Sequence, residues 1–236
     1  MTGSAIVVSR LTPGQRDDYL AFFDHERGPA FADNPEWARC YCQFYRLPRA
    51  IDWPKMTAVQ NRTAIAAAID CGEAEGYLAR AHVPSSDHHG APAAAEHPAH
   101  RTETPAARDE VVGWMHAAPR HKLPHCSERM KIAPTPVDVP AHEAAVLVCF
   151  VVAPAWRRRG VAAALLDFAL DDFAARGIRV VDAFPFKAGA SDAAAAHYHG
   201  PAALFAARGF APVADHEGLV VVRKRLVAPD DAAGSP

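Results

Sequence analysis

Apolar positions change their spacing several times along this 236-residue chain, and each change marks an element. From Ala144 to Trp156 every residue except Pro154 is apolar, as in a strand covered on both faces. Beyond Gly160 the spacing turns helical. Ala162, Leu165, Leu166, Ala169, Leu170 and Phe173 share one side, with Asp167, Asp171 and Asp172 outside it. Arg176 and Gly177 then supply a last-turn cation and a terminating glycine. Val180–Phe184 reads as the next strand, and strand–helix–strand implies a parallel crossover.

Weaker patterns fill the rest. Ala5–Ser9 predicts a first strand, and Thr12 caps a helix with Pro13 at its first position and Leu20, Phe22 and Phe23 inside. A second helix is expected over about Pro54–Asp70. Gly76–Val83 and Val111–His116 are expected as neighbouring strands. Near the end Pro201 opens a helix, Gly209 closes it, and Phe210–Val213 and Leu219–Arg225 follow as strands. Residues 84–109, rich in His, Pro and Ala without periodicity, form an expected flexible insertion. A second irregular stretch, Arg120–Glu143, is placed at a substrate entrance. The expectation is one α/β (α+β) domain over 1–227 with a mixed central sheet and a disordered tail at 228–236.

The junction of strand and helix carries the chemistry. Its turn, Arg157-Arg158-Arg159-Gly160, is basic, and it opens onto Val161-Ala162-Ala163. Free N–H groups at a helix start hold phosphate, and a glycine lets the backbone come close. An anion is therefore expected at Arg157–Ala163.

Val152-Ala153-Pro154-Ala155-Trp156-Arg157-Arg158-Arg159-Gly160-Val161-Ala162 resembles the acyl-CoA motif of the GNAT N-acetyltransferase superfamily. Gly200-Pro201, Leu204-Phe205 and Gly209-Phe210 resemble that family's C-terminal motif. The likeness covers roughly 144–227. It implies a GNAT fold, a mostly antiparallel sheet splayed at the motif strand, and an enzyme moving acetyl from acetyl-CoA to an amine by direct transfer. It further implies that Arg157, Arg158, Arg159, Gly160, Val161, Ala162 and Ala163 hold the CoA phosphates. Main-chain groups of Phe150, Val151 and Val152 would align the thioester, with Phe205 in the cofactor wall. Paired subunits are common in the family, so a homodimer is a further expectation.

Two departures concern proton transfer. The family's strand glutamate falls at Val146, and its frequent tyrosine falls at Phe205, which cannot donate a proton. The remaining candidates are Tyr198 as acid, with Glu143 and His116, then His121 and Asp182, as bases. These departures also motivate an alternative, a non-catalytic acyl-CoA-binding or sensing protein on the same fold.

Bulk properties narrow the partners. A net charge of −2 offers no basic field for nucleic acid or anionic membrane. The longest apolar run is too short to span a bilayer, and the N-terminus lacks a signal-peptide pattern. Five cysteines without a framework spacing suit a reducing cytoplasm. His88, His89, His97 and His100 are read as adventitious metal binders, so no metal is required. Cys40-Tyr41-Cys42 has the wrong spacing for a zinc knuckle. Its neighbours Trp37, Phe44 and Tyr45 suggest either core or an aromatic acceptor wall. Cys149 is expected as a small buried hydrophobe.

Overall fold

The computed structural model describes residues 5–24, 28–83, 108–187 and 198–226. The histidine-rich insertion and the tail fall outside them, apart from Arg108 and Asp109. Seven strands form one sheet: β1 Ile6–Arg10, β2 Tyr77–Val83, β3 Arg108–Pro119, β4 Ala144–Val152, β5 Val180–Ala183, β6 Ala211–Asp215 and β7 Val220–Arg225. Their order is β1-β2-β3-β4-β5-β7-β6, with β4–β5 the one parallel pair. Helices α1 Arg16–Phe23 and α2 Ala58–Asp70 cover one face, and α4 Val161–Ala175 covers the other. The short helices α3 Cys126–Met130 and α5 Ala202–Ala206 complete the α-structure among the described residues.

The strand–helix–strand expectation holds, and β4, α4 and β5 form the parallel crossover. Thr12 caps a 3₁₀ turn over Pro13–Gln15 rather than α1 itself, in a capping box with Gln15. Helix α2 begins at Ala58, after a box of Thr57 and Gln60, so Pro54 lies in a separate 3₁₀ turn. β3 is longer than its alternation suggested, because both its ends pair with neighbours.

Two of the three outer aspartates of α4 are tied to neighbours. Asp172 accepts from the Tyr77 hydroxyl at 2.7 Å and from Arg176 at 3.1 Å, and Asp167 pairs with Arg208 at 2.5 Å. Leu165, Leu166, Ala169 and Phe173 are buried against β2, β3 and β4. Gly113 on β3 permits that approach, since a Cβ there would meet a Val161 methyl at 2.5 Å.

The register shifts between His116 and Ala117, and Val148 is left without a partner in the β3–β4 ladder. The bulge turns Val148 and Cys149 to the same face of β4. Pairing of β4 with β5 reaches only Leu147 and Ala183. Among the described residues, the last five of β4, Val148–Val152, therefore have β3 on one side and no strand on the other.

Asp182 of β5 is fully buried between Arg120 and Arg223, which donates from Nε at 2.7 Å. This carboxylate, a base candidate from sequence, clamps the 120–143 segment to the sheet. Asp182→Ala leaves two guanidinium groups facing a buried void. We expect a loss of about 3 kcal/mol of stability, read by urea unfolding.

Candidate functional site

The open edge of β4 faces the start of α4. In an antiparallel ladder, alternate residues turn their N–H and C=O groups away from the partner. The Ala153 N–H reaches the Val112 carbonyl of β3 at 3.0 Å, and Val152 pairs with Gly113. Val152 and Phe150 therefore direct their amides to the open edge, while Val151 directs its own to β3. Of the three positions expected to align a thioester, two face the right way. The Phe150 N–H already donates to the Tyr198 carbonyl at 2.5 Å, which leaves Val152 as the unengaged amide.

The turn that follows has the geometry of an anion cradle. Gly160 is the N-cap of α4 with φ 84°, and no side chain caps the helix. Arg158 is also left-handed, at φ 60°. Among the described residues, no group accepts from the N–H of Arg158, Arg159, Gly160, Val161, Ala162 or Ala163. Six consecutive donors thus stand without a partner among the described residues, at the positive end of a 15-residue helix. No atom lies within 4 Å of where a Gly160 Cβ would stand, so the cradle opens outward.

The three arginines are not equivalent. Arg157 donates to Asp33, from Nη2 at 3.0 Å, and to the Val152 carbonyl from Nε at 3.3 Å. Its guanidinium holds the Asp33 carboxyl below the ordinary carboxylate range. Arg157 thus braces the loop before α4 against the N-terminal region. Arg159 lies over the Trp156 ring at 5.3 Å.

Two neighbouring spaces adjoin this edge. A narrow cleft of about 150 Å³ is lined by Phe150–Val152, Arg157 and Ala162 together with Tyr198, Gly200 and Pro201. A larger cavity of about 590 Å³ lies beyond it, walled by Phe31, Trp37, Phe44, Tyr45, Trp53 and Tyr198. Cys40, Cys42, Cys149, Val151 and Arg39 complete its lining. Phe31, Trp37, Val151 and Tyr198 line both spaces, so the two adjoin along these side chains.

Tyr198 stands at the junction. Burial raises its hydroxyl above the usual tyrosine range, partly offset by the neighbouring Tyr45 hydroxyl. Tyr45 meets His199 Nε2 at 3.0 Å, and the Tyr198 and His199 rings lie 4.4 Å apart. His199 is buried with an unpaired Nδ1, and burial pushes its pKa down to about 3. Nothing in the sequence spacing marked His199, Trp53 or Phe31, because loops far apart in the chain bring them together.

The other sequence candidates fall elsewhere. Glu143 precedes β4 at its far end, paired with Arg179 at 3.1 Å, and seven residues of strand put it some ~20 Å from Phe150. His116 is buried beside Cys149 and lines neither space; burial, then Arg46, lowers its pKa to about 3. Phe205 is fully buried, packed between Phe150 and Phe210. The Arg120–Glu143 stretch, expected at the entrance, contributes no residue to the lining of either space. It acts from behind, with Arg129 over Phe44 at 5.2 Å and bonded to the Leu47 carbonyl at 2.9 Å. Tyr41 belongs to the core, whereas Cys42 approaches Cys149 at 3.8 Å on the cavity floor.

His116 and His199 carry a pH signature. The unfolded chain protonates both near 6.5, the native fold only near 3, so the unfolded state binds more protons between these values. Stability is complete above 6.5 and falls as the pH drops below it. Lowering the pH from 7 to 5 should cost about 2–4 kcal/mol in urea unfolding, with a shallower slope in His116→Phe.

Residues 61–200, more than half of the chain, match the model of the "Acetyltransferase (GNAT) family". No curated protein matches. Among solved structures, the GNAT domain of S. lividans PAT is 17% identical, with TM-score 0.48 and coverage of 94% of this chain and 97% of that one. PaiA N-acetyltransferase from Thermoplasma acidophilum, in complex with coenzyme A, is 10% identical, with TM-score 0.46 and coverage of 94% and 99%. A GCN5-related N-acetyltransferase from Kribbella flavida is 15% identical, with TM-score 0.46 and coverage of 94% and 98%. Likenesses this distant carry no weight beside the family match and the strand–cradle–helix arrangement. On those two grounds this chain belongs to the GNAT acetyltransferase family.

Proposed function

We propose that the protein transfers an acetyl group from acetyl-CoA to an amine, directly and without an acyl-enzyme. The observation that carries this reading is the set of six unpaired N–H groups at Arg158–Ala163 beside the open edge of β4. Acetyl-CoA supplies an activated thioester, and a diphosphate fits the donor set of the cradle.

The chain's own groups divide the remaining work. The Val152 amide, aimed into the cleft, is placed to stabilise negative charge developing on a carbonyl oxygen. The Phe150 amide can join it once the Tyr198 carbonyl is displaced. The amine nitrogen forms the new C–N bond as the C–S bond breaks, and the proton lost from nitrogen balances the one gained by sulfur. Tyr198, at the junction of cleft and cavity, is the proton donor this geometry favours. Its raised pKa keeps the hydroxyl protonated through neutral pH. Glu143 takes no part in this scheme. Tyr45 and His199 orient Tyr198.

A sensing role on the same fold finds support in two observations, the buried Phe205 and the Phe150 amide already bonded to Tyr198. Titration calorimetry with acetyl-CoA, followed by an amine panel, separates the two readings. Binding with acetyl transfer supports the enzyme, and binding without transfer to any amine supports the sensor. Absence of binding sinks both.

Two variants test the assignments. Gly160→Val forces a β-branched residue into left-handed backbone, at about 1–2 kcal/mol. It should weaken CoA binding at least about tenfold through the displaced cradle amides. Tyr198→Phe should lower kcat about 10²-fold with little change in CoA affinity. Because the acid form of a raised tyrosine is lost only at high pH, wild-type kcat should fall on an alkaline limb that the variant lacks.

A further inference from the structure

The cavity beyond Tyr198 has a chemical character sharper than apolar. Six of its eleven lining residues are aromatic, and the rings are held by one another. Phe44 meets Tyr45 edge-on at 5.0 Å and Trp53 at 5.3 Å, and Trp37 meets Tyr198 at 5.3 Å. Arg129 braces Phe44 from behind. Rings fixed at edge-to-face angles leave flat surfaces for a flat guest.

Charge is unwelcome there. Arg39 is the one charged side chain among the described lining residues, and it is exposed at the rim, donating to the Pro54 carbonyl at 3.4 Å. The titratable groups around the cavity agree. Burial pushes the Cys40 thiol up to about 12 and raises Cys42, Tyr45 and Tyr198, while His199 is lowered, so each keeps its neutral form. The same desolvation acts on any amine that enters. An alkylammonium with a pKa near ~10.4 is neutral in less than about one molecule in 10³ at pH 7, and the described wall offers no carboxylate to receive its proton. An amine whose lone pair is delocalised into an aromatic ring arrives already neutral.

We propose that this cavity takes a flat aromatic amine of low basicity, an amino-substituted ring without a second charge, as the acetyl acceptor. The inference rests on the acetyl-transfer reading above and names its substrate class. The amino group is directed past Tyr198, which lines both spaces, towards the open edge of β4, while the ring lies among Trp37, Phe44 and Trp53.

The test uses the full-length protein with saturating acetyl-CoA and three amines: 4-methoxyaniline, 4-methoxyphenethylamine and spermidine. Ring binding is read as quenching of tryptophan fluorescence, and transfer as acetylated product by chromatography. At pH 7 the aniline should quench and should be acetylated with a kcat/KM at least about tenfold above the phenethylamine, with spermidine slower still. Between pH 7 and 8.5 the phenethylamine should gain about tenfold per unit while the aniline stays flat. Trp53→Ala should reduce the quenching and raise KM for the aniline. Phe44→Glu, which places a carboxylate in the wall, should move the preference towards spermidine. Quenching by the aniline without transfer to any amine upholds the aromatic site and removes the acetyl-transfer reading. A preference for spermidine, equal rates for the two ring amines at pH 7, or an aniline that neither quenches nor reacts overturns the proposal.

Discussion

The parting of β4 from β5 is the constraint on which the rest of the site depends. A sheet normally satisfies the main-chain groups of an interior strand on both sides. Here the ladder to β5 ends at Leu147 and Ala183, and one inserted residue at Val148 turns the strand away. That leaves amides of β4 pointing into a cleft. It also brings Cys149 and Val151 to the floor of a cavity and sets the end of the strand against the first turn of α4.

The turn after β4 extends the same theme. Left-handed backbone at Arg158 and Gly160 aims consecutive N–H groups outward, an arrangement that costs conformational energy and is held by its surroundings. Those surroundings are identifiable. Val161 is locked against Gly113, Arg157 is tied to Asp33 and to the Val152 carbonyl, and Arg159 rests on Trp156. The unpartnered donors proposed to hold a phosphate are main-chain groups, and Arg157 beside them is a brace, paired with Asp33.

Electrostatics divides the molecule into two regimes. Around the perimeter, aspartates and arginines pair across elements, as Asp24 with Arg62 and Asp138 with Arg225. Around the aromatic cavity, tyrosines, cysteines and a histidine sit without charged partners and are driven to their neutral forms by burial. Asp182 is the buried exception, and two arginines meet it. An amine entering this region meets rings and uncharged hydroxyls.

Local patterns were enough to locate the strand, the basic turn and the amphipathic helix, because apolar run, glycine and 3.6-residue spacing are properties of consecutive residues. The parallel crossover followed from the strand–helix–strand order alone. The bulge at Val148, the engagement of the Phe150 amide by Tyr198 and the confinement of Glu143 to the wrong end of β4 all depend on partners distant in the chain. Trp37 and Tyr45 were legible as an aromatic cluster, but whether they formed core or wall was not, since that depends on what stands opposite. Sequence by itself determined the basic turn between β4 and α4 and its run of main-chain donors, because they belong to one continuous stretch. Tertiary structure decided the aromatic cavity, because a cavity is made of surfaces that only folding brings face to face.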